Sequence, residues 1–177
     1  LPICTLGIVT QATLKLAPIA EHKIAVQAVF DTVAQAVETV VAVRGSGLDP
    51  IALEFIDTYM AQMMNSSPEV ELAEKPQLFM EFHAIHEDEL QQKIELIREI
   101  CEDIGATHFH ATSDTKERAT LWYARHHAFE SFQRTHPGKR SYLNDVAVPI
   151  SSYPELINFI HDLRETGALP AYMLGHA

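Results

Sequence analysis

The sequence is short of cysteine, of positive charge and of long apolar runs, and each shortage removes a class of protein. Only two cysteines, Cys4 and Cys101, occur among 177 residues. They show no Cys-x-x-Cys spacing, so neither a disulfide scaffold nor a cysteine-built zinc module is available. Cys101 sits inside a helical pattern and reads as a buried free thiol. Lys and Arg number 13 against 24 Asp and Glu, for a formal net charge of −11. Such a balance opposes a polyphosphate backbone, and no local basic cluster relieves it, so no nucleic-acid partner is expected. No apolar stretch approaches the roughly 20 residues that span a bilayer, so no transmembrane segment is expected. The first residues lack the charged-then-apolar order of a secretory signal. Together these features favour a cytoplasmic location, or peripheral attachment to a membrane through partners. Gly-x-Gly-x-x-Gly, P-loop, His-Glu-x-x-His and Gly-x-Ser-x-Gly motifs are also missing, and with them the common signatures for dinucleotides, triphosphates, zinc peptidases and acyl transfer.

What remains is ordinary globular composition, 47% hydrophobic and 21% charged, in a chain long enough for one sizeable core or two small ones. "GIVTQATLKLAP" at 7–18 alternates apolar and polar residues, which predicts an edge strand. "HKIAVQAVF" predicts a strand, followed by a helix capped by Asp31 with Val33, Val37, Val40 and Val41 on one face and "RGSG" at its end. "PIALEFID" predicts a third strand, then a short Met-rich helix, then a proline-bounded loop over 65–76. "QLFMEFHAI" leads into a long helix whose Leu90, Ile94, Ile97, Cys101 and Ile104 step by four and three until Gly105. "THFHAT" follows as a strand. The order β-α-β, β-α-β over 23–112 is that of an α+β, ferredoxin-like antiparallel sheet with helices packed on one face. Additional C-terminal helices and strands follow: a helix over 115–134 with an Asp114/Glu117 capping box, a strand "YLNDVAVPI", a helix opened by Ser152, Pro154 and Glu155, and a strand from Ala171 to Leu174 before Gly175, His176 and Ala177.

Arg125 is the most informative side chain. Helical spacing puts it on one face with Arg118, Trp122, Phe129 and Phe132. A guanidinium turned inward among aromatics needs an anion or carbonyls around it. Two readings stand: a structural ion pair with a buried Asp or Glu, or a clamp for a substrate carboxylate. Asp145 lies in the predicted strand "NDVAVPI" and could pair with Arg125 or line a site. His108 and His110 alternate onto one strand face, a spacing that metals use, but no third ligand sits at a fixed distance. Solvated or hydrogen-bonded histidines are the plainer reading, and the methionines at 60–64 read as packing.

Four stretches in order resemble one family. "TLGIVTQATLKLAP" at 5–18 is similar to the segment that closes the flavin domain of FAD-linked oxidases of the vanillyl-alcohol oxidase and p-cresol methylhydroxylase type. "LWYARHHAF" at 121–129, "NDVAVPIS" at 144–151 and "GH" at 175–176 resemble the C-terminal substrate, or cap, domain of FAD-linked D-2-hydroxy acid dehydrogenases. That group includes D-lactate dehydrogenases and the flavin subunit of glycolate oxidase. The resemblance implies that residues 1–18 are the tail of an FAD-binding domain and residues 19–177 a substrate domain truncated at its C-terminal end. It implies oxidation of D-lactate or glycolate to the 2-oxo acid with hydride passing to FAD, the chain alone being inactive. Arg125 matches an arginine that binds a substrate carboxylate, with Trp122 and Asp145 in supporting roles. His176 matches the first ligand of a divalent metal such as Zn or Mn. Relatives that take a five-carbon diacid carry a lysine and a threonine where Leu143 and Phe129 stand here, so a small 2-hydroxy monocarboxylate is expected. Cys4 replaces a glycine of the family's flavin-proximal stretch. A homodimer is expected from surface that would otherwise pack on a flavin domain. A different class of function fits the pattern too: a free-standing ferredoxin-like module that binds a ligand or partner without redox activity.

Overall fold

The computed structural model describes residues 7–16 and 18–176, so Cys4 and the first part of the expected flavin-domain tail lie outside the described residues. Its elements are β1 (His22–Phe30), α1 (Val33–Gly45), β2 (Ala52–Ile56), α2 (Thr58–Met64), β3 (Gln77–Ala84), α3 (Glu87–Ile104), β4 (Ala106–Thr112), α4 (Thr115–His126), α5 (Ala128–Thr135), α6 (Tyr153–Glu165) and β5 (Leu174–His176). The sheet order is β4-β1-β3-β2-β5 and each paired neighbour is antiparallel. The first four strands make the ferredoxin-like arrangement, and β5 extends it at the edge of β2.

Period-two alternation divides the sheet into two unlike faces. Ile24, Val26, Ala28 and Phe30, Leu53 and Phe55, and Leu78, Met80 and Phe82 form one side of the main core. Val33, Val37 and Val40 of α1, Leu90, Ile94, Ile97 and Cys101 of α3, and Tyr153 and Ile157 of α6 close over them. Each large apolar side chain removed from water here stabilises the fold by roughly 1.5–3 kcal/mol before its ordering entropy is counted. The second face is different. Ile56 and Phe79 join Met60, Ala61 and Met64 of α2, Ala124 of α4 and Ala128 of α5 in a smaller cluster. The other positions on this face include Gln27, Glu54, Glu81, His83, His110 and His176. The added helices α4 and α5 thus lie across a face that is rich in polar groups.

Local chemistry explains most element ends. Thr32, rather than Asp31, caps α1: its hydroxyl accepts the Gln35 N–H while the Gln35 side chain accepts the Thr32 N–H, a reciprocal capping box. Asp31 instead pairs with Lys75. Asp57 and Asp114 cap α2 and α4. Glu117 does not close a box back to Asp114; its carboxylate meets His110 at 3.2 Å. Ser152 precedes α6 without a side-chain cap. Gly105 ends α3 in the left-handed region at φ 109°, and a Cβ there would meet the Gln35 side chain at 2.5 Å.

Four sequence expectations are corrected. Residues 7–16 and 18 form no strand, and Ile8, Val9, Leu14 and Leu16 are exposed. Residues 142–149 are irregular as well, with Tyr142, Leu143 and Val146 exposed and only Val148 against the core. Alternation makes a strand only where a neighbour completes the hydrogen-bond ladder, and neither segment has one among the described residues. The helix expected over 115–134 is two helices broken at His127, whose φ of −101° and ψ of 19° leave the α region. The last strand runs from Leu174 to His176, slightly later than expected.

Candidate functional site

The second sheet face and α4 build one cluster. Glu54 is an acidic residue in the middle of β2, only 6% exposed. It sits directly across from Phe79 on β3 and from His176 on β5. Glu81 of β3 lies across from Ala52 of β2 and Ala25 of β1, one step along the same face. The two carboxylates are therefore diagonal neighbours. Trp122 and Arg125, three residues apart on α4, present one face of that helix to them. The Trp122 indole Nε1–H donates to Glu81 Oε2 at 2.5 Å. Arg125 Nε–H donates to Glu54 Oε2 at 2.9 Å. His83 reaches the other oxygen of Glu81 through Nε2. His176 reaches the other oxygen of Glu54 through Nδ1 at 2.9 Å.

Each carboxylate is thus shared between one group from α4 and one histidine from the sheet. A carboxylate accepts only, so the Nδ1 contact is a donor contact from His176, and in the neutral ring Nε2 is then the lone pair. Its side chain is 67% exposed. An imidazole fixed through Nδ1 by a carboxylate and open at Nε2 is the arrangement in which histidine binds metals. His176 therefore fits as one donor to a divalent ion. Among the described residues no group of three or more His, Cys, Asp or Glu side chains is placed to hold one. His108 and His110 stack at 6.4 Å on the edge strand β4, with His110 against Glu117, and form no such group.

Arg125 has an acidic partner, Glu54, and that partner engages only Nε. Among the described residues no side chain or carbonyl bonds its two terminal nitrogens, and the side chain is 25% exposed. Asp145 is not the partner of Arg125; it lies exposed in the irregular segment before α6. Leu143 is exposed in that same segment, and Phe129 lies beyond the break at His127 and is 37% exposed. Glu54 and Glu81 were not singled out by the sequence. The signal was there in "IALEFI" and "LFMEFHA": a lone acid inside an apolar strand must find a buried partner.

Gly175, between Leu174 and His176, has its own cause. A Cβ at this position would sit 3.0 Å from the Tyr153 hydroxyl beneath β5. That hydroxyl is buried and bonds to no group among the described residues. Burial, and then the charge of Glu54, push the Tyr153 phenol up to about 12.

Fold and site together define an α+β, ferredoxin-like domain whose second sheet face carries paired acid–histidine contacts beneath a Trp-x-x-Arg helix. Comparison with known proteins supplies the family: the chain belongs to the FAD linked oxidases, C-terminal domain, which match residues 19–177. It is 34% identical over 153 residues to the probable mitochondrial D-lactate dehydrogenase of Danio rerio, covering 86% of this chain and 31% of that protein. It is 26% identical over 173 residues to the mitochondrial D-lactate dehydrogenase [cytochrome] of Arabidopsis thaliana, covering 98% of this chain and 30% of that one. It is 27% identical over 175 residues to the glycolate oxidase subunit GlcD of Bacillus subtilis, covering 98% and 37%. The chain thus spans about a third of the length of these relatives. Among the described residues no helix is long and apolar enough to cross a membrane.

Proposed function

We propose that this chain is the substrate-binding domain of an FAD-dependent dehydrogenase or oxidase of D-2-hydroxy acids, acting on D-lactate or glycolate. The observation that carries this reading is Arg125. A guanidinium tethered by Nε alone keeps its outer edge for a second anion, and a planar carboxylate matches that edge in bidentate fashion. The relatives' names, D-lactate dehydrogenase and glycolate oxidase, describe substrates that carry one carboxylate beside a hydroxyl. In this reading Arg125 binds and orients the carboxylate, Glu54 holds Arg125, and Trp122 covers the acidic face by locking Glu81. Asp145 is assigned a supporting role in the segment before α6. His176 contributes one nitrogen to a divalent ion, which when bound supplies Lewis-acid polarisation of the substrate oxygens. FAD when bound accepts the two electrons of the oxidation. The matched family is the C-terminal domain of FAD linked oxidases, so flavin binding is assigned mainly to the rest of the protein.

The family resemblance sets Leu143 and Phe129 where relatives that take a diacid carry a lysine and a threonine, and neither apolar side chain can pair a second carboxylate, which supports the choice of a monocarboxylate. The exposed apolar residues Ile8, Val9, Leu14 and Leu16 and the exposed Tyr142, Leu143 and Val146 support packing against further protein.

Steady-state kinetics on the full-length protein that carries this chain, with a dye acceptor, test the reading. D-Lactate or glycolate should give a higher kcat/KM than D-2-hydroxyglutarate. Arg125→Lys should raise KM for the preferred acid about 10- to 100-fold, the worth of a charged bidentate contact. Preference for the diacid, or no oxidation of any 2-hydroxy acid, would sink it.

A further inference from the structure

We infer that Glu54 is a positioning residue that sets the substrate arginine and the metal histidine in one fixed relation. The inference rests on the functional reading just given. Its basis is the use of the carboxylate: Oε1 accepts from His176 Nδ1 and Oε2 accepts from Arg125 Nε, both at 2.9 Å. The two partners come from separate parts of the chain, Arg125 from α4 above the sheet and His176 from β5 at its edge. They are not joined to each other by any hydrogen bond among the described residues; Glu54 is the group both touch. Glu54 is itself held rigidly. It is buried, it belongs to β2, and it is the direct cross-strand neighbour of His176. What this leaves unbonded by the described residues is the outer edge of Arg125 and Nε2 of His176. A 2-hydroxy acid whose carboxylate lies on Arg125 and whose oxygens meet an ion on His176 needs those two groups at a set separation, and one side chain sets it.

The chemistry separates Glu from its near neighbours. Glutamine has one acceptor oxygen and one amide nitrogen, and the nitrogen cannot accept from either partner. Glu54→Gln can therefore accept from only one partner: with its oxygen on Arg125, its amide can meet His176 only by donating to Nδ1, which moves the ring proton to Nε2 and removes the lone pair a metal needs. Partners that orient a metal-binding histidine typically change affinity or activity by about 10- to 100-fold when removed.

The test uses the full-length protein and two readouts. Zn²⁺ alone, in competition with a chromophoric chelator and without substrate, gives the metal Kd; steady-state kinetics give KM and kcat separately. Glu54→Gln should weaken Zn²⁺ about 10- to 100-fold or raise KM by a similar factor, and combining it with Arg125→Lys should cost less than the sum of the two. Glu54→Asp, which keeps the charge one methylene further back, should fall between wild type and Gln. If the Gln variant does not fold, the Asp variant decides alone. Folded Glu54 variants with wild-type Kd and KM overturn the inference, provided His176→Ala weakens Zn²⁺ and Arg125→Lys raises KM. If those two changes have no effect, the functional reading fails and this inference falls with it.

Discussion

Asp57 ties the start of α2 to the approach of β5: its Oδ1 accepts the Met60 N–H at 2.6 Å and its Oδ2 accepts the Met173 N–H at 3.0 Å. One buried carboxylate thereby fixes the path of the segment that delivers His176 to Glu54. Burial raises its pKa from 3.8 to about 6, against the pull of the two backbone bonds.

That shift has a definite sign. Between pH 3.8 and about 6 the folded protein holds a proton on Asp57 that the unfolded chain has lost. The stability this proton brings is full below 3.8 and is lost as pH rises through about 6, to the extent of about 3 kcal/mol. Glu89 and Glu117, held low by Lys93 and by Thr112 with His110, slope the other way at lower pH, so the informative quantity is a difference. The stability of Asp57→Asn minus that of wild type should rise steadily from about pH 4 to about pH 7, the window set by that shift. A flat difference in denaturant unfolding across that range would show that Asp57 titrates normally.

Tyr153 and Gly175 make a second testable pair. Gly175→Ala should cost about 1–3 kcal/mol, because the new methyl meets the Tyr153 hydroxyl in a packed site. Tyr153→Phe should stabilise the fold by about 1 kcal/mol, since it deletes a buried hydroxyl without a partner among the described residues. In the Tyr153→Phe background Gly175→Ala should become cheaper. A strictly additive double-mutant cycle by chemical denaturation would refute the contact as the reason for glycine.

The repeating part of the fold was legible in the sequence because its periodicities are long and each is satisfied by burial. The four-and-three spacing from Leu90 to Cys101 and the alternation from Ile24 to Phe30 both end in the main core. Residues 7–18 and 142–150 show the same alternation, yet a strand also needs a neighbour, and a neighbour is a tertiary fact that local pattern does not carry. The inward Arg125 was legible by the same logic, as was its need for an anion. Its partner was not: Glu54 lies 71 positions away, and only the β2–β3 register and the crossing of α4 bring it there. Asp145, nearer in sequence and acidic, was the more obvious candidate and lies exposed instead. The break at His127 was hidden because Ala128 to Thr135 continues with helix-compatible residues after one misaligned turn.

Cys101 supplies the last prediction, about dynamics. It is fully buried on α3 within the main core, and burial, with a smaller push from Glu102, raises its thiol to about 12. The reactive form is the thiolate, so at about pH 8 the native thiol is both inaccessible and protonated. Iodoacetamide followed by peptide mass spectrometry should leave Cys101 unmodified in native protein and modify it fully in concentrated guanidinium. Rapid native labelling would mean that α3 opens well below the global unfolding free energy. The sheet face opposite, with Glu54 and Glu81 fixed to β2 and β3, would then rest on a scaffold that breathes, and the set relation between Arg125 and His176 would have to be carried by α4 and β5 alone.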